Sequence, residues 1–200
     1  VSGKVLINLV SGGFRGGGYP GSRDSGAGVG IPCYPGVGSL PKQPDLAIIC
    51  TASEKVPADV DACGKAGIRG IIILSAGFRE AGEEGRRLED ELTAVIRRYE
   101  GMRVIGPNCL GIIVPGLKLN ASFAAAMPAA GNIAFISQSG ALCTSVLDWA
   151  YNTNIGFSYF VSIGNSMDVN FGDLIDYFGQ DPNTKSIVLY VESISNARTF

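Results

Sequence analysis

Six short runs of branched apolar residues, each closing on a small or polar turn, constrain this chain more than any other feature. They are Leu46-Ala-Ile-Ile-Cys50, Gly70-Ile-Ile-Ile-Leu-Ser75, Arg103-Val-Ile105, Ile133-Ala-Phe-Ile136, Phe157-Ser-Tyr-Phe-Val161 and Ser186-Ile-Val-Leu-Tyr-Val191. Several are continuously apolar instead of alternating, the pattern of strands buried on both faces of a parallel sheet. Segments of helical period lie between them. Leu88, Leu92, Val95, Ile96 and Tyr99 recur at i, i+4, i+7, i+8 and i+11, and Phe171, Leu174, Ile175 and Phe178 at i, i+3, i+4 and i+7. The mixed charges on the rest of 79–100 read as a solvated helix face. Strand and helix in alternation predict an α/β fold of doubly wound, parallel-sheet type.

Composition removes several mechanisms. The 200 residues carry 16 basic and 18 acidic side chains, a formal charge of −2, so no basic footprint for nucleic acid exists. There is no histidine, which excludes a Ser-His-Asp or Cys-His nucleophile and the usual zinc sites within this chain; no metal site is expected. The five cysteines form no C-x-x-C pair and are odd in number, so they read as reduced, in a cytoplasmic protein. No apolar run approaches the roughly 18 residues of a membrane span, and no signal segment opens the chain. The first residue is Val1, which suggests a piece of a longer protein.

A composition shift over Ser122 to Asn132 reads as a linker, giving a first domain at 1–125 and a second, incomplete one at 130–200. The glycine-rich stretch Gly12 to Gly38 reads as an irregular loop.

Ligands of open parallel sheets bind beyond the carboxyl ends of the strands, where helix N-termini present N–H groups. That rule selects Thr51, Ala52 and Ser53 after the first run, Ser75, Ala76 and Gly77 after the second, and Gly106-Pro-Asn-Cys-Leu-Gly111 after the third. Each could equally be an ordinary turn or cap, but three small polar loops at one sheet edge favour a ligand groove. In the second domain, Ile136-Ser-Gln-Ser-Gly-Ala-Leu142 runs from a strand through Ser137, Ser139 and Gly140 into a helix carrying Leu142, Val146, Leu147 and Trp149. It is an anion cradle or a plain N-cap. Glu192 ends the last apolar run, where a buried carboxylate needs a cation or an imidazole N–H as partner; a solvated strand end is the alternative. Cys109 reads as a packing residue, since nothing nearby would lower its pKa.

The combination of Gly106-Pro-Asn-Cys-Leu-Gly-Ile-Ile113, Ser75-Ala-Gly-Phe-Arg-Glu80, Ile136-Ser-Gln-Ser-Gly140 and Asp181-Pro-Asn-Thr-Lys-Ser-Ile-Val-Leu-Tyr-Val-Glu192 resembles the NDP-forming acyl-CoA synthetases, including the succinyl-CoA synthetase α-subunit and ADP-forming acetate–CoA ligase. The likeness runs from about Lys4 to the end. It implies a Rossmann-like CoA-binding domain followed by a flavodoxin-like ligase domain, and the reaction of an acid, CoA and ATP to acyl-CoA, ADP and phosphate through a phosphohistidine. It further implies that Thr51, Ala52, Ser53, Ser75, Ala76 and Gly77 line the CoA groove, with Asn108 and Cys109 near its thiol end. Ser137, Ser139 and Gly140 would stabilise the phosphoryl group, and Glu192 would orient the histidine. ATP or ADP, with Mg, would sit in an ATP-grasp β-type subunit or fused domain, so a homo- or hetero-oligomer is implied.

The departures are specific. The family's histidine loop would lie beyond Phe200, and its first strand and glycine turn before Val1, so the chain by itself is expected to be inactive. Tyr19-Pro-Gly-Ser-Arg-Asp-Ser-Gly replaces the family's usual strand end. One alternative is the non-catalytic, ligase-like regulatory region of a protein lysine acetyltransferase. Another, an NAD-binding regulator, is weakened because no G-x-G-x-x-G joins a strand to a helix.

Overall fold

Ile71, Ile72 and Ile73 point alternately to the two faces of one strand, yet each is at most 2% exposed, as in a strand covered on both sides. The computed structural model describes all residues except 22–26, 29–30, 195–196 and 199. These isoleucines lie in β4 (Gly70–Ile73), the centre of a parallel three-stranded sheet with β3 (Leu46–Ile49) and β5 (Arg103–Ile105). On one face, Val56 and Val60 of α2 (Val56–Lys65) and Leu92 and Val95 of α3 (Glu83–Ile96) pack with Ile49, Ile71, Ile73 and Val104. Tyr99, which continues the apolar stripe of α3, lies past the helix end and donates its hydroxyl to Asp61 Oδ1 at 2.7 Å.

The second sheet has the order β10-β8-β9-β6-β7. Its parallel part is β8 (Ala129–Ser137), flanked by β9 (Gly156–Ser162) and β10 (Ser186–Tyr190). One face is covered by α4 (Gly140–Thr153), whose Cys143 and Ala150 pack with Phe135, Phe157 and Phe160. The other is covered by α5 (Phe171–Gly179), whose Phe171, Leu174 and Phe178 pack with Ala134, Ile136, Val161 and Ile163. Trp149, grouped from sequence with the apolar face of α4, is instead exposed.

An antiparallel hairpin, β6 (Gly111–Val114) and β7 (Leu119–Ser122), extends this sheet by pairing Ile112 with Val161. Residues 111–122 therefore share a sheet with the second unit, and β8 begins at Ala129, inside the stretch that reads as a linker. The reason is packing, since Leu110 and Ile113 find their apolar partners in the phenylalanine cluster of β8 and β9.

The first helix, α1 (Ser2–Ser11), seals the junction. Its Val5 joins Ile72 and Leu74 of the first sheet to Ala121 of the second in one core, and Asn8 Nδ2 donates to the carbonyls of Ser122 and Ala124 at 2.8 and 2.9 Å. On the far side Arg103 bridges Asp168 and Asp173, both at 3.1 Å, while Val104 N–H donates to Asp168 Oδ2 at 2.7 Å and Val104 O accepts from Val169 N at 3.1 Å. The edge of β5 is thereby occupied. A short ladder of β1 (Ala27–Gly28) and β2 (Ile31–Pro32) interrupts the glycine-rich stretch, part of which lies outside the described residues.

Phe160 is fully buried, with ring centroids 4.7 Å from Phe135 and 5.1 Å from Phe157. Phe160→Ala is expected to lower the stability by about 3–5 kcal/mol, read as a fall in the urea midpoint at unchanged slope.

Candidate active site between the two sheets

At the carboxyl edge of the first sheet the three selected loops touch one another. Ser75 Oγ donates to Thr51 O at 2.5 Å, and Asn108 N–H donates to Ser75 O at 2.9 Å. A Cβ on Gly77, whose φ is +106°, would lie 2.8 Å from Ser53 Oγ. Thr51 and Ala76 are exposed, and Ser53, Ser75 and Asn108 half-buried. The Thr51 hydroxyl donates to Asp59 Oδ2 at 2.7 Å, at the start of α2. Cys109 differs from its neighbours. It is 3% exposed, its Sγ donates to Ile73 O at 3.2 Å, and burial pushes its thiol well up. Its side chain packs, leaving only its backbone for a ligand.

In the second sheet, β8 ends in a turn that holds itself. Ser139 N–H donates to Ser137 Oγ and Ser137 Oγ to Ser139 O, both at 3.0 Å, and Ser139 Oγ caps α4 by accepting from Leu142 N at 3.3 Å. Ser137 is fully buried, so it braces the turn instead of facing a ligand. Of the first N–H groups of α4, those of Gly140 and Ala141 have no partner among the described residues, and a Cβ at Gly140 would meet nothing within 4 Å. Two open N–H groups at the positive end of a 14-residue helix are able to receive an anion.

A cavity of about 520 Å³ is lined by Arg79, Glu80 and Glu89 from the first unit and Gln138, Asn165 and Glu192 from the second; of the loops selected from sequence only Gln138 and Glu192 supply lining residues, while Thr51 to Ser53, Ser75 to Gly77, Asn108, Ser139 and Gly140 do not line it. Asn165, 8% exposed in the loop after β9, closes its floor. Its Nδ2 donates to Glu80 Oε2 at 2.6 Å and to Glu89 Oε2 at 3.1 Å, while its Oδ1 accepts from Asn108 Nδ2 at 3.3 Å. Its backbone N–H donates to Pro107 O at 2.9 Å, and its carbonyl accepts from the Arg79 guanidinium. Gly164 permits this approach, because a Cβ there would lie 2.3 Å from the carbonyls of Pro107 and Asn108 and its φ is +53°. Arg79 also pairs with Glu89 at 3.6 Å. Burial pushes the Glu80 carboxyl up, but hydrogen bonds from Asn165 and from the Gly77 and Phe78 N–H groups outweigh it and hold the carboxyl below its ordinary range.

Glu192 is exposed at the cavity rim, past the end of β10, so the burial cost that drew attention to it does not operate. Arg79 and Glu80 stood in a motif quoted for the family resemblance but were given no role, and Glu89 and Asn165 escaped the sequence reading. Glu89 is only 8% exposed although its helix face reads as solvated. One signal was available for Asn165, which follows an apolar strand as Asn108 does, and the strand-end rule applied to β9 reaches it.

Residues 2–115 match the CoA binding domain family and residues 130–200 the succinyl-CoA ligase like flavodoxin domain. The chain is 43% identical to ADP-forming acetate–CoA ligase I of Archaeoglobus fulgidus over 86% of its own length and 25% of that protein's. It is 43% identical to the α subunit of ADP-forming acetate–CoA ligase II of Pyrococcus furiosus, over 86% of this chain and 37% of that one. An acetyl-coenzyme A synthetase of Ca. Korarchaeum cryptofilum, solved with phosphate and ADP, superposes with a TM-score of 0.92 at 42% identity, covering 98% of this chain and 41% of that one. The chain therefore belongs to the CoA binding domain family, and spans between a quarter and about two fifths of the length of these relatives. No helix among the described residues is long and apolar enough to cross a membrane.

The lowered Glu80 carboxyl has a definite pH consequence. Its contribution is complete above the unfolded-state value of about 4.3 and is lost as pH falls through the lower folded value. Asn165→Leu removes the Nδ2 donor, so at pH 7 it should cost about 1–3 kcal/mol. The gap in melting temperature between this variant and the wild type should narrow below about pH 4.

Proposed function

We propose that this chain is the CoA-binding and phosphoryl-relay portion of an NDP-forming acyl-CoA synthetase. Such an enzyme converts an acid, CoA and ATP to acyl-CoA, ADP and phosphate through a phosphohistidine. The observation that carries the reading is the open start of α4 next to Gln138, which lines a polar cavity shared by both units, with the CoA-type strand edge tied to that cavity through the Asn108–Asn165 hydrogen bond. The ligase names of the relatives favour this over the regulatory region of a lysine acetyltransferase.

Each group of residues then has a physical task. The exposed Thr51 and Ala76, with Ser53, Ser75 and Gly77, form the wall along which CoA lies, supplying thiol chemistry at the end nearest Asn108. Asn108, tied to Asn165, keeps that end against the cavity. The open N–H groups of Gly140 and Ala141, at a helix start whose Leu142 N–H is capped by Ser139, stabilise phosphoryl charge where it develops. The Glu192 carboxylate at the rim can accept an imidazole N–H and so set its tautomer and orientation. The chain itself has no histidine, so that imidazole comes from outside these 200 residues. Its presence there, and ATP or ADP with Mg in an ATP-grasp partner, make the working unit an oligomer or a longer fused protein. The five unpaired cysteines suit a reducing, cytoplasmic setting.

Calorimetric titration of this chain with CoA should give saturable binding, with NAD as the silent control; binding of NAD and not CoA would overturn the reading. In the complete enzyme, Gly140→Glu fits sterically, since nothing lies within 4 Å of its Cβ, yet it sets a carboxylate in the cradle. Phosphoenzyme formation should drop by at least about a hundredfold while CoA affinity stays within about twofold; normal turnover would remove the cradle from the mechanism.

A further inference from the structure

The Glu192 carboxylate has no hydrogen bond or ion pair among the described residues, so its own side chain does not fix where it stands. Only its backbone can. The parallel ladder between β8 and β10 ends at the pair Ser137 and Tyr190, and the two strands separate beyond it. At that point Gln138 takes over. Its backbone N–H donates to Tyr190 O at 3.2 Å, its Oε1 accepts from the N–H groups of Glu192 at 2.7 Å and Ser193 at 2.9 Å, and its Nε2 donates to Ser193 O at 3.1 Å. One side-chain amide thus continues the sheet by two residues, satisfying the backbone groups that a further strand pair would otherwise satisfy.

The anchor of this amide matters as much as its reach. Gln138 sits between Ser137 and Ser139, whose mutual hydrogen bonds hold the turn rigidly at the start of α4. A displacement of Gln138 would therefore shift Glu192 relative to the Gly140 and Ala141 N–H groups, and a correctly placed one locks the two together. Both Gln138 and Glu192 line the cavity. The serines of this turn brace and cap it, whereas glutamine is long enough to reach across to the neighbouring strand.

We propose that Gln138 is a positioning residue that fixes the Glu192 backbone, and through it the carboxylate, against the anion cradle at the N-terminus of α4. The role rests on the ligase reading above. In this role Gln138 acts through Glu192.

The test combines backbone exchange with the kinetics of the complete ligase. In wild-type protein the Glu192 and Ser193 amides should be protected from hydrogen exchange. Gln138→Ala should abolish that protection, and Gln138→Glu, which keeps an oxygen acceptor for both N–H groups, should retain it. Phosphoenzyme formation in Gln138→Ala should slow by about 10- to 100-fold with CoA affinity unchanged, and Gln138→Glu should recover most of the rate. That split and that rescue are not what a merely structural side chain gives, since general loosening would lower CoA affinity too and respond to both variants alike. Protected amides in Gln138→Ala, or a wild-type rate in that variant, would overturn the proposal. A wild-type enzyme that forms no phosphoenzyme would instead overturn the ligase reading and the catalytic consequence drawn from it, while the exchange experiment would still decide whether Gln138 holds Glu192.

Discussion

The site depends on how one buried asparagine is satisfied. Asn165 stands on the loop after β9, but every partner of its side chain lies more than fifty residues away on the first unit: Glu80, Glu89 and Asn108. An amide buried without partners is costly, and two carboxylates brought together without a donor between them would repel. Asn165 resolves both at once by donating to each. The Arg79 guanidinium, paired with Glu89 and bonded to the Asn165 carbonyl, supplies the compensating charge. Because donors and acceptors come from opposite units, the network forms only when the sheets are docked, and it sets the distance between the two halves of the cavity.

The apolar contacts at the junction reinforce this. Val5 of α1 joins Ile72, Leu74 and Ala121 into a single core shared by both sheets, and Arg103 ties the edge of β5 to Asp168 and Asp173. Burial supplies the non-directional part of the docking energy, while Asn165 and Gly164 supply the direction. The halves differ in how they are held. The turn from Ser137 to Leu142 is closed by bonds between residues at most three apart, so the proposed anion cradle is locally preformed. The Asn108 end has no such local closure: Ser75 O holds its backbone N–H, and Asn165 holds its side chain from across the interface.

Some of this was legible from the chain and some was not, for identifiable reasons. The isoleucine run Ile71 to Ile73 could only be a doubly covered strand, and the helical stripes of α3 and α5 follow directly from the spacing of their apolar residues. The hairpin of β6 and β7 was not visible, because four-residue strands around a Pro-Gly turn carry too little periodicity, and their attachment to the second sheet is decided by the phenylalanines of β8 and β9. Glu89 was hidden for a different reason. It sits among exposed charges on a helix face, and its contacts with Arg79 and with Asn165 from the other unit turn that position inward.

The sequence by itself determined the class of fold, the two strand edges at which small polar residues collect, and the capped helix start at Ser139 and Gly140. Each of these is a matter of local period, turn chemistry or capping, acting over a few residues. Tertiary structure alone decided that Gln138 and Glu192 share one cavity with Arg79, Glu80, Glu89 and Asn165, that Glu192 is exposed at its rim, that Cys109 and Ser137 are packed away, and that Gln138 reaches over to the next strand. Those outcomes depend on contacts between residues up to 86 positions apart, and hydrogen-bond satisfaction at such separations is written in no short stretch of the chain.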